Sequence, residues 1–158
     1  AIGAQSGQAS MLVSARTPTV STLSQSWANE VTQSESFSSV QWETSVSVTV
    51  TTLDHLVGRY GIPAFCKIDV EGYELEALLG LTQPLPALSF EFVTAAPEVA
   101  LGCLERLQTL ASYEYNWSRG ERHQWESGSW ISGAEMAMTL RQMPVDGGSG
   151  DIYARRLD

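Results

Sequence analysis

Between residues 65 and 81 the chain reads FCKIDVEGYELEALLGL, and three carboxylates, Asp69, Glu71 and Glu74, crowd around Gly72 directly after an apolar run. Lys67, the one lysine of the chain, stands two residues before Asp69. In a strand that spacing puts both side chains on one sheet face, where they can pair. A fourth acid, Glu91, lies among aromatic neighbours in SFEF. Burying an unpaired carboxylate costs several kcal/mol, so an acid at a strand's end has either a partner or a task. Carboxylates grouped in this way can orient a substrate hydroxyl or take its proton.

The flanking pattern positions these groups. TTLDHLVGRYGIP reads as a helix with Thr52 as N-cap and Gly61 with Pro63 as its stop. AFCKIDV, residues 64–70, reads as a strand, YELEALLG as a helix ended by Gly80, and ALSFEFV as a second strand. PEVALGCLERLQTLA opens a helix on Pro97, SYEYNWS alternates Tyr113, Tyr115 and Trp117, and SGAEMAMTLRQM begins with a capping box from Ser132 to Glu135. After the turn DGGSG comes a final strand, DIYAR. Regular alternation of helix and strand from residue 52 predicts an α/β fold with a mainly parallel sheet, the last strand slotting in antiparallel. Asp69 and Glu71 then fall at the carboxyl end of a strand, where open α/β sheets bind ligands, and Glu74 enters the positive end of the next helix.

Upstream, GAQSG joins Ala1 and Ile2 to a strand in ASMLVS, and TSVSVTVTT reads as a half-buried strand. Between them, residues 14–45 form a Ser/Thr-rich insertion with one short helix near SQSWANEV. Its Trp27, Phe37 and Trp42 call for burial. Long insertions of this kind often cover a binding site.

At 158 residues the chain fits one domain, residues 1–158. A net charge of −9 excludes a nucleic-acid or anionic-membrane partner, since both require a basic face. No apolar run reaches the roughly 20 residues that span a bilayer. Cys66 and Cys103 read as buried free thiols, which points to a reducing, cytoplasmic setting.

TTLDHLVGRYGIPAFCKIDVEGYELEALLGL and LPALSFEF closely resemble the second half of the FkbM-type methyltransferases. The matching positions are Thr52, Leu53 and Asp54; Lys67 through Gly72 with Glu74; and Ser89, Glu91 and Phe92. With looser similarity in AIGAQSGQASMLVS and GDIYAR, the resemblance spans essentially the whole chain. It implies a Rossmann-like class I methyltransferase fold, S-adenosylmethionine as cofactor, and O-methylation of a small-molecule or glycan hydroxyl. On this resemblance Ala1, Ile2 and Asp69 contact the cofactor, while Asp69, Glu71, Glu74 and Glu91 edge the reacting groups. His123, in SRGERHQW, is a further candidate base.

The family's Gly-rich cofactor loop does not precede Ala1, and DGGSGD lies between a helix and a strand, the wrong context for a nucleotide-binding turn. The fold is therefore expected to be incomplete at its N-terminus, leaving strand 64–70 as an edge open to homodimer pairing. The alternative is a non-catalytic, self-associating module that has lost cofactor binding. A Mg²⁺ or Ca²⁺ site built from Asp69, Glu71, Glu74 and Glu91 is the weakest reading, because their spacing over a strand end seldom turns all of them inward. No metal is expected.

Overall fold

In the computed structural model, which describes residues 1–122 and 124–157 (Glu121 by its backbone alone), alternation of apolar and polar residues builds two sheets. β1 (Gly7–Val13) and β2 (Thr44–Val50) form an antiparallel ribbon. β3 (Cys66–Ile68), β4 (Ala87–Val93), β5 (Tyr113–Arg119), β6 (Ile131–Ser132) and β7 (Ser149–Arg156) form a five-stranded sheet in the order β3-β4-β7-β5-β6. The helices are α1 (Gln25–Val31), α2 (Leu53–Tyr60), α3 (Glu74–Leu79), α4 (Pro97–Leu110) and α5 (Gly133–Gln142). The helix and strand alternation expected from residue 52 is present, with the two-residue β6 added before α5.

The expectation of a mainly parallel sheet needs correction at the level of pairing. Only β3 and β4 pair in parallel; β7 pairs antiparallel with both β4 and β5, and β6 pairs antiparallel with β5. The last strand is antiparallel, as the short Gly-rich connection led one to expect, and it lies between β4 and β5. Two further expectations change. The strand at 64–70 shrinks to Cys66–Ile68, because Asp69 to Gly72 turn away from the sheet. In β2 only Val50 is buried, while Val46 is exposed, since nothing packs on the outer half of a two-stranded ribbon.

One sheet face is apolar and carries the main core. Leu88, Phe90, Phe92, Tyr115, Trp117 and Ile152 pack there against Leu78 of α3, Leu104 and Leu107 of α4, and Met136 and Leu140 of α5. Cys103 is buried in this core, whereas Cys66 is only half-buried; both thiols are free. The T-L-D stretch is architectural. Thr52 Oγ1 accepts the His55 amide at 3.1 Å and starts α2, and the Asp54 carboxylate accepts the Thr82 amide at 2.8 Å. Arg106 donates to the Leu78 and Leu81 carbonyls at and just past the end of α3, tying α4 to that end. In α3, Leu78 is buried while Leu79 is exposed.

A second, smaller core lies at the carboxyl end of β4. Trp27, Ala28 and Val31 of α1 pack there with Val93 and Ala96, and Phe37 and Trp42 meet the Trp27 ring edge-on at 5.5 Å and 6.3 Å. The insertion at 14–45 is thus fixed to the main sheet by its own aromatic residues.

Among the described residues no helix is long and apolar enough to cross a membrane.

The capping box of α5 is complete: Ser132 Oγ accepts the Glu135 amide, and the Glu135 carboxylate accepts the Ser132 amide at 2.8 Å. Ser132→Ala should lower stability by about 1 kcal/mol in urea unfolding with an unchanged m-value. A change below about 0.3 kcal/mol would show that the cap does not hold α5.

Candidate functional site

The site is built where β3 ends. Beyond Ile68 the chain turns through Asp69, Val70, Glu71 and Gly72 into α3, and two consecutive residues leave the usual backbone region: Glu71 has φ +53° and Gly72 φ +80°. Glycine adopts the second freely, and there is no room for a larger residue, since a Cβ on Gly72 would lie 2.0 Å from Cγ of Trp27. A non-glycine residue in the left-handed region persists only when its surroundings hold it there.

Three contacts do so. The Glu74 side chain, 2% exposed at the start of α3, accepts the Val70 amide at 3.0 Å and the Gly72 amide at 3.3 Å. The indole of Trp27 covers Gly72. Thr22 Oγ1, also buried, donates to the Glu71 carbonyl at 2.5 Å. Glu74 is therefore turned back onto the chain, and of the acids singled out by the sequence it is the one that acts on backbone.

The other three converge. Asp69, Glu71 and Glu91 each offer a carboxylate oxygen, and these oxygens lie within 4.8 Å of one another. They are the described residues that could hold a cation. Lys67 sits at their flank, with Nζ 3.3 Å from Asp69 and 3.0 Å from Asp151 of β7, and its side chain is half exposed. Glu91 lies opposite Asp151 in the β4–β7 ladder.

Crowding of like charges sets the protonation. Burial first, then the Asp69 and Glu74 charges, push the Glu71 carboxyl up to about 7. Burial again, then Glu71, Asp69, Glu74 and Asp151, push Glu91 up to about 8. Burial also raises Glu74, against the opposing pull of the Val70 and Gly72 amides. Among the described residues no cation or donor compensates Glu91.

A cleft of about 530 Å³ opens beside this turn. One wall is Asp69, Val70, Glu71 and Tyr73; facing it stand Ala1, Ile2 and Met11, with Thr19, Ser21 and Leu23 of the insertion. Ala1, Ile2, Asp69 and Glu71 thus share one cavity, and Glu91, outside its lining, reaches a carboxylate oxygen to within 4.8 Å of those of Asp69 and Glu71. Glu74 lies behind its wall, and His123 lies outside the described residues. The sequence reading missed Thr22, Tyr73 and Asp151. Asp151 carried a usable signal, since an acid opening a strand can pair with Lys67; Thr22 carried none, because nothing marks one threonine among many.

The acid-lined cleft lies at the carboxyl end of a strand in a mixed α/β fold, the place where open sheets bind ligands. The model of the methyltransferase FkbM domain matches residues 1–141, and the chain belongs to that family. No curated protein and no solved structure matches it.

The raised carboxyls make stability depend on pH. Folded Glu71 and Glu91 keep protons that the unfolded chain releases near about pH 4.3, so their contribution is full below that value and falls as pH rises through about 7 and about 8. Urea midpoints should therefore drop between about pH 5.5 and about pH 9, and Glu91→Gln, which cannot ionise, should flatten the drop. An equal drop in the variant would show that Glu91 ionises as an ordinary surface acid.

Proposed function

We propose that this chain is the catalytic region of an S-adenosylmethionine-dependent O-methyltransferase acting on a hydroxyl of a small molecule or glycan. The observation that carries the reading is the shared cleft of Ala1, Ile2, Asp69 and Glu71 beside Glu91. Its size suits a small organic ligand. Its lining suits this cofactor, with apolar Ile2 and Met11 on one side and carboxylates for a sulfonium and an ammonium on the other. β3, β4 and β5 run in one direction with the reversed β7 between β4 and β5, an arrangement that favours a Rossmann-like sheet. The free thiols favour a cytoplasmic setting.

S-adenosylmethionine supplies an electrophilic methyl group when bound. The residues of the chain have three tasks. Asp69 and Glu71 hold positive charge and orient it. In its ionised form Glu91 receives the proton of the acceptor hydroxyl, and with its carboxyl pushed up to about 8 that form is a stronger base than an ordinary glutamate. Glu74 keeps the turn in place from behind.

A second reading is self-association through β3, favoured by its place at the end of the sheet order and by exposed Tyr60, Ile62 and Phe65 beside it. Light scattering decides it, a mass of 17.2 kDa being that of the monomer.

Calorimetric titration with S-adenosylhomocysteine tests the main reading. Saturable binding with a Kd on the order of micromolar is expected, weakened at least about tenfold by Glu71→Gln. Glu91→Gln should keep product affinity within about threefold and lower kcat by about a hundredfold or more. Absence of binding to the unaltered chain would overturn the reading.

A further inference from the structure

The insertion at 14–45 does more than pack against the sheet. Residues 21–23 run extended beside β1, with the Leu12 amide donating to the Thr22 carbonyl at 2.8 Å and the Thr22 amide to the Leu12 carbonyl at 3.0 Å. Extended chain sends alternate side chains to opposite sides. Ser21 and Leu23 accordingly line the cleft, while Thr22 turns the other way and is 1% exposed. Its hydroxyl donates to the Glu71 carbonyl at 2.5 Å and accepts the Ser24 amide at 2.9 Å. One short segment therefore supplies a wall of the cleft and the anchor for the acid in the opposite wall.

We propose that Thr22 is a positioning residue that fixes Glu71 in its left-handed turn and so aims its carboxylate into the cleft. Glu71 needs such an anchor. A non-glycine residue at φ +53° relaxes to ordinary backbone unless tied down, and a rotation there swings the side chain away from Asp69 and Glu91. Glu74 binds the amides on either side, of Val70 and Gly72, and Trp27 covers Gly72, but the carbonyl of Glu71 itself is held by Thr22. The consequence is a link between two walls. Ligand groups that press on Ser21 or Leu23 shift Thr22, and through it the carboxylate that faces them. The insertion thereby couples recognition of the ligand's outer part to placement of the charge at its reacting end, which deepens the function proposed above and rests on it.

The test separates positioning from that function. The Glu71 carboxyl carbon is followed by NMR across pH in ¹³C-labelled protein and assigned with Glu71→Gln. The groups facing it are Asp69, Glu74 and Glu91, with Lys67 paired to Asp69 at the flank. Thr22→Val should lower its midpoint by about one unit or more, as the side chain leaves its buried, acid-crowded place, while Thr22→Ser should retain the unaltered midpoint. Unfolding curves of each variant establish that the fold persists. An unchanged midpoint in a folded Thr22→Val protein overturns the proposal.

A second measurement needs no variant. The Thr22 hydroxyl proton, donated to the Glu71 carbonyl while the Ser24 amide fixes the Thr22 oxygen, should be visible as a slowly exchanging signal with cross-peaks to Gly72, and rapid exchange overturns the proposal as well. S-adenosylhomocysteine titration runs alongside, with Thr22→Val expected to weaken binding at least about tenfold and Thr22→Ser to leave it within about twofold. If the unaltered chain binds none, the methyltransferase reading fails while the carboxyl titration still decides the role of Thr22.

Discussion

The arrangement depends on one buried carboxylate. Glu74 is 2% exposed, and its oxygen accepts two backbone amides, those of Val70 and Gly72. Without it the strand-to-helix turn would leave both amides unpaired in a partly buried setting, at up to about 1–3 kcal/mol for each group. With it, the turn closes tightly enough to place Glu71 in the left-handed region and to send the Asp69 and Glu71 side chains outward together. Charged acceptors make the stronger hydrogen bonds, and the Val70 and Gly72 amides offset part of the burial that raises the Glu74 carboxyl.

A second consequence is electrostatic. Four acids meet near a single lysine, and Lys67 is already shared between Asp69 and Asp151. Among the described residues the remaining charge has no cation to answer it, and protonation of Glu71 and Glu91 relieves it. Such a cluster is costly for stability at alkaline pH, and proteins keep arrangements of this kind at functional sites. Its acids are ready either to meet a positively charged ligand or to take up a proton, and both abilities suit methyl transfer from a sulfonium to a hydroxyl.

Much of this was legible in the residues because local rules and tertiary packing agree. The helix starts at Thr52 and Ser132, the stop at Gly61, and the burial of Tyr113, Tyr115 and Trp117 all follow from capping chemistry or period-two alternation. The pairing of Lys67 with Asp69 was suggested by their period-two spacing and is present, although Asp69 lies just past the end of β3. What depends on long-range placement was less legible: the final strand is antiparallel as expected, but no local pattern reports its place between β4 and β5, and the parallel ladder is confined to β3 and β4. In the site, Glu74 looked like one more member of an acidic rim. Its inward turn becomes visible only with the amides of Val70 and Gly72 before it, and the same holds for Thr22, whose partner is 49 residues away.

The central claim, that Glu74 holds the turn from behind, is tested most directly by hydrogen exchange at the Val70 and Gly72 amides. The account predicts that both are protected in the unaltered protein. In Glu74→Gln both should exchange at least about tenfold faster, while the Phe90 amide within β4 keeps its protection. Equal exchange of Val70 and Gly72 in the two proteins would contradict it, and the turn would then owe its shape to Trp27 and Thr22 alone.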